Sequence, residues 1–435
     1  MCGKVIGCLN VIIKLTVQAR FQVSLQRSTL GGEGAMASLL YPATVSEPEK
    51  LQVLILGGNG MMGSSFVSLL VSFFGPSNVN ITLLNRGRKY WDSEVRVTPF
   101  VNHHITCDRK KVKRAGATLF KERNVFDYCI DFSAYKGKYV KSMLKQVQVR
   151  KRYIYISTDS VYEVCQRQGK KNATVESDAV RPSDENERAR LNEEDDYGDQ
   201  KLKGEEVLHW YAKNGESTGG LGATVPVKYV ILRLSDVIGP RDNTDRIFNY
   251  ILWLRTHQAI GKPLQLPSDY ASRFLSFVHC DSVASALLAC VRMTLEDDSL
   301  LRNCTFNLSD GIDDPGRLTL KQFLDGLAKH MGITDVAYAV EEDDDGTYYP
   351  SVTRGPISSR VARKTLGRYW HPMPIDSCIA NIVAFYEKEV LYDKSGKFEE
   401  QKAEVCEDLI EELELSKPQS AKFFTHLEQF YFNAC

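Results

Sequence analysis

Tyr197 and Lys201 stand four residues apart in the stretch DYGDQKLKGEEVL (196–208), and Thr158 lies upstream in YISTDSVYE (155–163). On a helix, residues four apart share one face. A lysine cation beside a phenol stabilises the phenolate and lowers its pKa from about 10. That makes Tyr197 a candidate general base near neutrality. A Thr158 hydroxyl at the end of a strand can hydrogen-bond the same substrate oxygen. In a chain with 20 tyrosines the pair says little by itself. Its weight comes from what surrounds it.

A glycine turn supplies that context. In LILGGNGMMGSS (54–65), Gly58, Gly60 and Gly63 have the spacing GxGxxG, and Gly57 adds the register GxxGxxG. Glycines at these positions permit a tight turn, close backbone approach to pyrophosphate and close helix–strand packing. The helix that follows supplies free amides and a positive dipole. Here the turn follows an apolar run and opens a helical pattern at Met61, the context the motif requires. Gly57, Gly58, Asn59, Gly60, Met61, Met62 and Gly63 are therefore cofactor-binding candidates, and Tyr197 and Lys201 join them from the other side of the cofactor.

The adenosine end is read from the second strand, which closes as LLNRGRK. Sites for NAD place an acid there to hold the ribose 2′-hydroxyl. This chain has Asn85, then Arg86. A neutral amide followed by a guanidinium favours a 2′-phosphate, so NADP is expected, with NAD as the alternative. Asp108, after NHHITC, is placed to accept from the adenine amino group.

These groups need a scaffold. From Leu51 short apolar runs alternate with amphipathic stretches, the pattern of βαβ units in a parallel sheet. Strands are expected at 51–57, 80–85, 127–133, 152–157 and 228–234, and helices at 61–74, 136–148 and 201–213. The predicted class is α/β: a Rossmann-type doubly wound parallel sheet over residues 51–235, with a smaller mixed α/β C-terminal substrate lobe over 236–387. Residues 163–196 are strongly charged and read as a solvated insertion. Residues 388–435 read as a helical, charged tail.

Composition narrows the function classes. Fifty-five basic residues balance 55 acidic ones, so no global field recruits nucleic acid or an anionic membrane. Eleven cysteines, none spaced as CxxC, point to reduced thiols rather than disulfides or zinc. The sequons at Asn80, Asn172 and Asn303 carry no weight in that setting. No apolar run reaches the roughly 18 to 20 residues that span a bilayer. Residues 1–50 hold four Lys and Arg before their first acid, Glu33. This segment reads as a dispensable extension with a cytoplasmic protein behind it, the alternative being a mitochondrial transit peptide.

With these motifs assembled, the chain resembles the extended short-chain dehydrogenase/reductases, the NAD(P)-dependent nucleotide-sugar epimerase/dehydratase family, over roughly residues 51 to 387. The matching motifs are the glycine turn, STDSVY, Tyr197 with Lys201, LRLSDVIGP (232–240), FVHCDSVASAL (277–287) and SRVARKTLG (359–367). The resemblance implies a Thr158/Tyr197/Lys201 triad that oxidises a sugar carbinol and returns the hydride. It also implies a nucleotide-linked sugar or related alcohol as small-molecule substrate, and a homodimer formed through a helical bundle that includes the Tyr197 helix. Substrate contacts fall to Asp159, Arg233 and Arg273. Two departures stand out. The family's 4,6-dehydratases follow the threonine with Asp-Glu, whereas here Ser160 follows Asp159. Arg273 lies two residues off the family's phosphate-binding arginine. The NRG after the second strand resembles an atypical branch containing RNA-binding relatives, and the basic clusters 108–114 and 150–152 would serve such a role. The retained Tyr197 and Lys201 favour an enzyme over that alternative, since an RNA binder has no need of them; a simple NADPH-dependent carbonyl reductase is the other alternative.

Overall fold

The computed structural model describes residues 49–115, 119–120, 124–166, 173–214, 226–272, 274–310, 318–340, 356–393 and 395–432. Arg273 and residues 1–48 lie outside this set, so the expectations placed on them do too.

The first strand, β1 (Leu51–Leu56), is followed by helix α1 (Met61–Phe74), and then by β2 (Val79–Asn85) and β3 (His103–Thr106). Strand β4 (Val125–Asp131) leads through helix α2 (Gly137–Leu144) to β5 (Gln148–Thr158). Helix α3 (Asp196–Asn214) then returns the chain to β6 (Tyr229–Leu234). These strands pair in parallel in the order β3-β2-β1-β4-β5-β6. The order reverses between β1 and β4, where doubly wound sheets bind their ligands beyond the strand C-termini.

Alternation along β1 shows how the sheet is covered on both faces. Val53 and Ile55 belong to one apolar cluster with Phe66 and Leu70 of α1. Leu54 and Leu56 point the other way, into a cluster with Val140 of α2 and Leu208 of α3. Strands buried on both faces read as continuous apolar runs, which is why LQVLIL was legible.

The later chain departs from the sequence reading in three ways. A seventh strand, Cys304–Leu308, pairs in parallel with β6 and extends the sheet. The helix before it, Cys280–Glu296, contributes Val283, Leu287 and Val291 to the α1 side of the sheet. This part of the expected second lobe therefore completes the first layer. Second, the charged insertion is anchored: Arg181 pairs with Asp199 of α3 at 3.0 Å, and the Glu176 carbonyl accepts from Arg233 of β6 at 2.9 Å. Third, the tail is helical as expected, over helices Lys397–Glu412 and Lys417–Phe432, but it is packed into a core and is not a solvated appendage. Their Phe398, Val405, Leu409, Phe423 and Leu427 share a buried core with Phe248 and Ile251 of helix Arg246–Ile260. The glutamates and lysines dominate the composition, but the apolar residues between them recur at helical spacing and supply a buried stripe. Described residues from Glu49 onward belong to one compact unit. No described helix is long and apolar enough to cross a membrane.

Candidate active site

The glycine turn joins β1 to α1 at the point where the strand order reverses. Gly57 takes φ +88°, a left-handed conformation suited to glycine. A Cβ on Gly63 would lie 2.5 Å from Gly58 Cα, so helix and turn meet only with glycine there. Nothing lies within 4 Å of a Cβ built on Gly60, which leaves its backbone open to a ligand. Gly58 differs from its neighbours. Its missing Cβ would strike Ile55 and Leu83 at 2.8 Å, so it serves core packing rather than ligand contact.

Beyond the turn runs a cavity of about 870 Å³ lined by Gly57, Asn59, Gly60, Met61, Met62 and Gly63 on the side of the turn. Asn85, Arg86, Arg88, Asp108 and Lys110 line it beyond the end of β2, and Thr158, Asp159, Tyr197 and Lys201 line it beyond the end of β5. The Asn59 amide donates to the Arg88 carbonyl at 2.8 Å, tying the glycine turn to the loop after β2. Asn85 Oδ1 accepts from Gly87 N at 2.8 Å, while its Nδ2 and Asn59 Oδ1 are buried with no partner among the described residues. Buried polar atoms are rarely left this way, and a dinucleotide along this wall would supply partners. Asp108 accepts from Lys110 N at 2.8 Å and caps the short helix that follows.

Thr158 ends β5 and its Oγ1 accepts from Ser160 N at 3.2 Å, which starts a one-turn helix over Asp159–Tyr162. The start of α3 packs on that turn so closely that a Cβ on Gly198 would fall on the Ser160 carbonyl. The neighbouring Tyr197 is thereby brought beside Thr158. Lys201, one turn further on, is buried and donates to the Ile156 carbonyl at 2.7 Å and the Ala134 carbonyl at 3.4 Å.

The electrostatics revise one expectation. Lys201 Nζ lies 6.0 Å from the Tyr197 ring centre, and the phenol is not held low. Although 45% of Tyr197 is exposed, crowding around its hydroxyl pushes its pKa up. The nearby Tyr135 and Asp159 add to the rise, and the Thr158 hydrogen bond opposes it. Burial likewise lowers Lys201 to about 8, against the pull of Asp131 and Glu205. Asp159 is raised to about 8, first by burial and then by the charge of Asp236. At neutral pH Asp159 is thus a carboxylic acid beside the Thr158 hydroxyl, which donates to its Oδ1 at 3.3 Å.

Arg233 belongs elsewhere. It is buried and absent from the cavity wall. Its guanidinium donates to Glu205 from Nη2 at 2.6 Å and from Nε at 3.1 Å, and to Tyr162 Oη from Nη1 at 3.0 Å. It ties β6 to α3, the helix that carries Tyr197, and so supports the site from behind. Sequence alone names an arginine but not its partner. Residues missed by the sequence reading include Tyr135, Asp236, Asp242 and Arg246, all in the cavity wall. Of these, Asp236 lay within a recognised motif, LRLSDVIGP.

A doubly wound parallel sheet with a glycine-rich first turn, and an ionisable cluster across the crevice from it, defines a Rossmann-type dinucleotide-dependent enzyme. The family model "NAD dependent epimerase/dehydratase family" matches residues 53–301. The chain belongs to this family, whose members are extended short-chain dehydrogenase/reductases. Among solved structures it is similar to dTDP-glucose 4,6-dehydratase from Bacillus anthracis, crystallised with NAD: 17% identity, TM-score 0.53, covering 79% of this chain and 99% of that one. DesIV from Streptomyces venezuelae, a dTDP-glucose 4,6-dehydratase with NAD and TYD bound, gives 17% identity, TM-score 0.54 and the same coverages, 79% and 99%. UDP-glucose 4-epimerase from Thermotoga maritima, with UDP-glucose, gives 17% and 0.51 over 78% of this chain and 99% of that one. At this identity they share the fold. No curated protein matches the sequence.

Proposed function

We propose that this protein transfers hydride reversibly between NADP and a carbinol of a nucleotide-linked sugar or related alcohol. The observation that carries the reading is one cavity wall holding both the glycine turn and the Thr158, Tyr197 and Lys201 cluster. Bound along the open Gly60 backbone, the dinucleotide supplies the hydride acceptor. The chain's own residues do the rest. Thr158 orients the reacting hydroxyl, Tyr197 carries its proton, and Lys201 holds a positive charge next to both. Arg86, Arg88 and Lys110 line the adenosine end, a set of cations suited to a 2′-phosphate. Solved relatives are described with UDP-glucose or NAD, which makes nucleotide sugars the first substrates to try.

A second reading draws on the substrate side of the cavity. There Asp159, Asp236 and Asp242 stand with Arg246, itself 3.7 Å from Asp236. Among the described residues this is little positive charge for a diphosphate, and it favours reduction of a simple carbonyl compound.

The test has two stages. Denaturing the purified protein and weighing any released nucleotide identifies the cofactor. Incubation with UDP-glucose and dTDP-glucose, followed by product analysis, separates the readings. Tyr197→Phe is expected to lower kcat by about 10² to 10⁴-fold, the usual share of acid–base catalysis, with cofactor affinity unchanged. Wild-type turnover in that variant would exclude Tyr197 as the proton carrier.

A further inference from the structure

Three tyrosine rings enclose the Lys201 ammonium. Its Nζ lies 5.0 Å from the ring centre of Tyr155, 5.2 Å from that of Tyr135 and 6.0 Å from that of Tyr197. A ring face attracts a cation over such distances, more strongly where water is excluded. Tyr155 is buried in the sheet and donates to the Ala134 carbonyl at 2.9 Å. Tyr197 is the proposed proton carrier. Tyr135, in the loop after β4, has neither task. It is 54% exposed, lines the cavity, and makes no hydrogen bond among the described residues. Its ring lies 6.2 Å from that of Tyr197, tilted by 46°.

The charges around Lys201 show why a ring matters at this place. Burial has already brought the amine down to about 8. Two carboxylates oppose this, Asp131 at the end of β4 and Glu205 one turn along α3, but both are engaged elsewhere. Asp131 is paired with Arg109 and accepts from the Tyr153 hydroxyl. Glu205 is paired with Arg233 and accepts from Ser157 at 2.5 Å. What remains next to the ammonium is two backbone carbonyls and the three rings.

We infer that Tyr135 is a positioning residue of this active site, its ring closing an aromatic cage that keeps the Lys201 ammonium charged and in place. The inference rests on the proposed cofactor role of Lys201. It concerns the ring and not the hydroxyl, so Phe substitutes for Tyr and an aliphatic residue does not.

The experiment follows binding of NADPH and NADH to the full chain by reduced-nicotinamide fluorescence between pH 6 and 10. Wild-type affinity is expected to fall as pH rises through about 8. Asp159 lines the same cavity and loses its proton over the same range, so every protein is compared in an Asp159→Asn background; Lys201→Met in that background is the control and should lack the fall. Tyr135→Phe should match wild type. Tyr135→Leu, and Tyr135→Gln as a second variant, should shift the fall to lower pH by about one unit, the scale of a desolvated cation–π contact. Affinity at pH 8 would then drop roughly five-fold. A fall at the wild-type pH in both aliphatic variants overturns the inference. So does an equal shift in Tyr135→Phe, or a persistent fall in Lys201→Met. Wild-type protein that binds neither dinucleotide overturns the cofactor reading as well, so the two failures are told apart. Thermal melts of each variant check that it is folded.

Discussion

Asp159 shows how much a single residue depends on its surroundings. Burial lifts its pKa to about 8, far above the ordinary carboxylate range near 4, so the folded state keeps a proton the unfolded chain releases. The stability this gives is fully present below the unfolded pKa and is lost as pH rises from about 4 through about 8. Each unit of that window corresponds to about 1.4 kcal/mol at most. Asp159→Asn keeps a neutral side chain at every pH. Its melting temperature is expected to exceed that of wild type at pH 8.5 and to converge with it near pH 4. Parallel curves would show that Asp159 is not buried as described. Where Arg86 is proposed to meet a 2′-phosphate, a charge-assisted hydrogen bond is worth roughly 1.5 to 3 kcal/mol. Arg86→Ala should therefore cost about ten- to hundredfold in NADP affinity and little in NAD affinity. Equal losses by titration calorimetry would exclude Arg86 as the reader of the 2′-phosphate. The residue types at these sites were legible from spacing. Their ionisation was not, because burial and charges distant in sequence decide it.

At the scale of elements, the site depends on where helix α3 sits. Gly198 lets its first turn touch the Ser160 carbonyl, and the Arg233–Glu205 pair fixes it to β6 from behind. Gly198→Ala is expected to force the two apart, costing about 1–3 kcal/mol of stability as overpacking does and lowering turnover along with it. A stable, fully active Gly198→Ala would show that the helix has room to spare. Arg233→Met leaves Glu205 as a buried, unpaired charge, which typically costs 3–5 kcal/mol. Urea unfolding should show a loss of that size. If Arg233 contacted substrate instead, the loss would appear in KM with stability intact. The helix was expected at 201–213 and begins at Asp196. Its early start hid in the acidic run before it, which favours a helix N-terminus by its charge.

At the scale of the whole molecule, the C-terminal helices complete the second core. Phe398, Val405, Leu409, Phe423 and Leu427 are buried there, each worth about 1.5–3 kcal/mol of burial. Their sum rivals the 5–15 kcal/mol net stability of an ordinary domain. A chain ending at Asp393 is thus expected to be insoluble or to melt without cooperativity. Recovery of a soluble, sharply melting protein would show that the lobe stands without them. By contrast, Glu49 opens the compact unit, and a chain starting at Met36 is expected to express in soluble form.

The glycine turn, the alternation of strands with helices and the Tyr197–Lys201 spacing could be read from sequence because each is local. A backbone turn, a pleat and a helical repeat impose their periods on neighbouring residues. Tertiary structure decided the rest. It brought Cys304–Leu308 back beside β6, turned Arg233 inward to Glu205, and set Tyr135 over the Lys201 ammonium. Such pairings join residues tens of positions apart, and their energies arise from exclusion of water. No local pattern records which distant side chain will share a buried site.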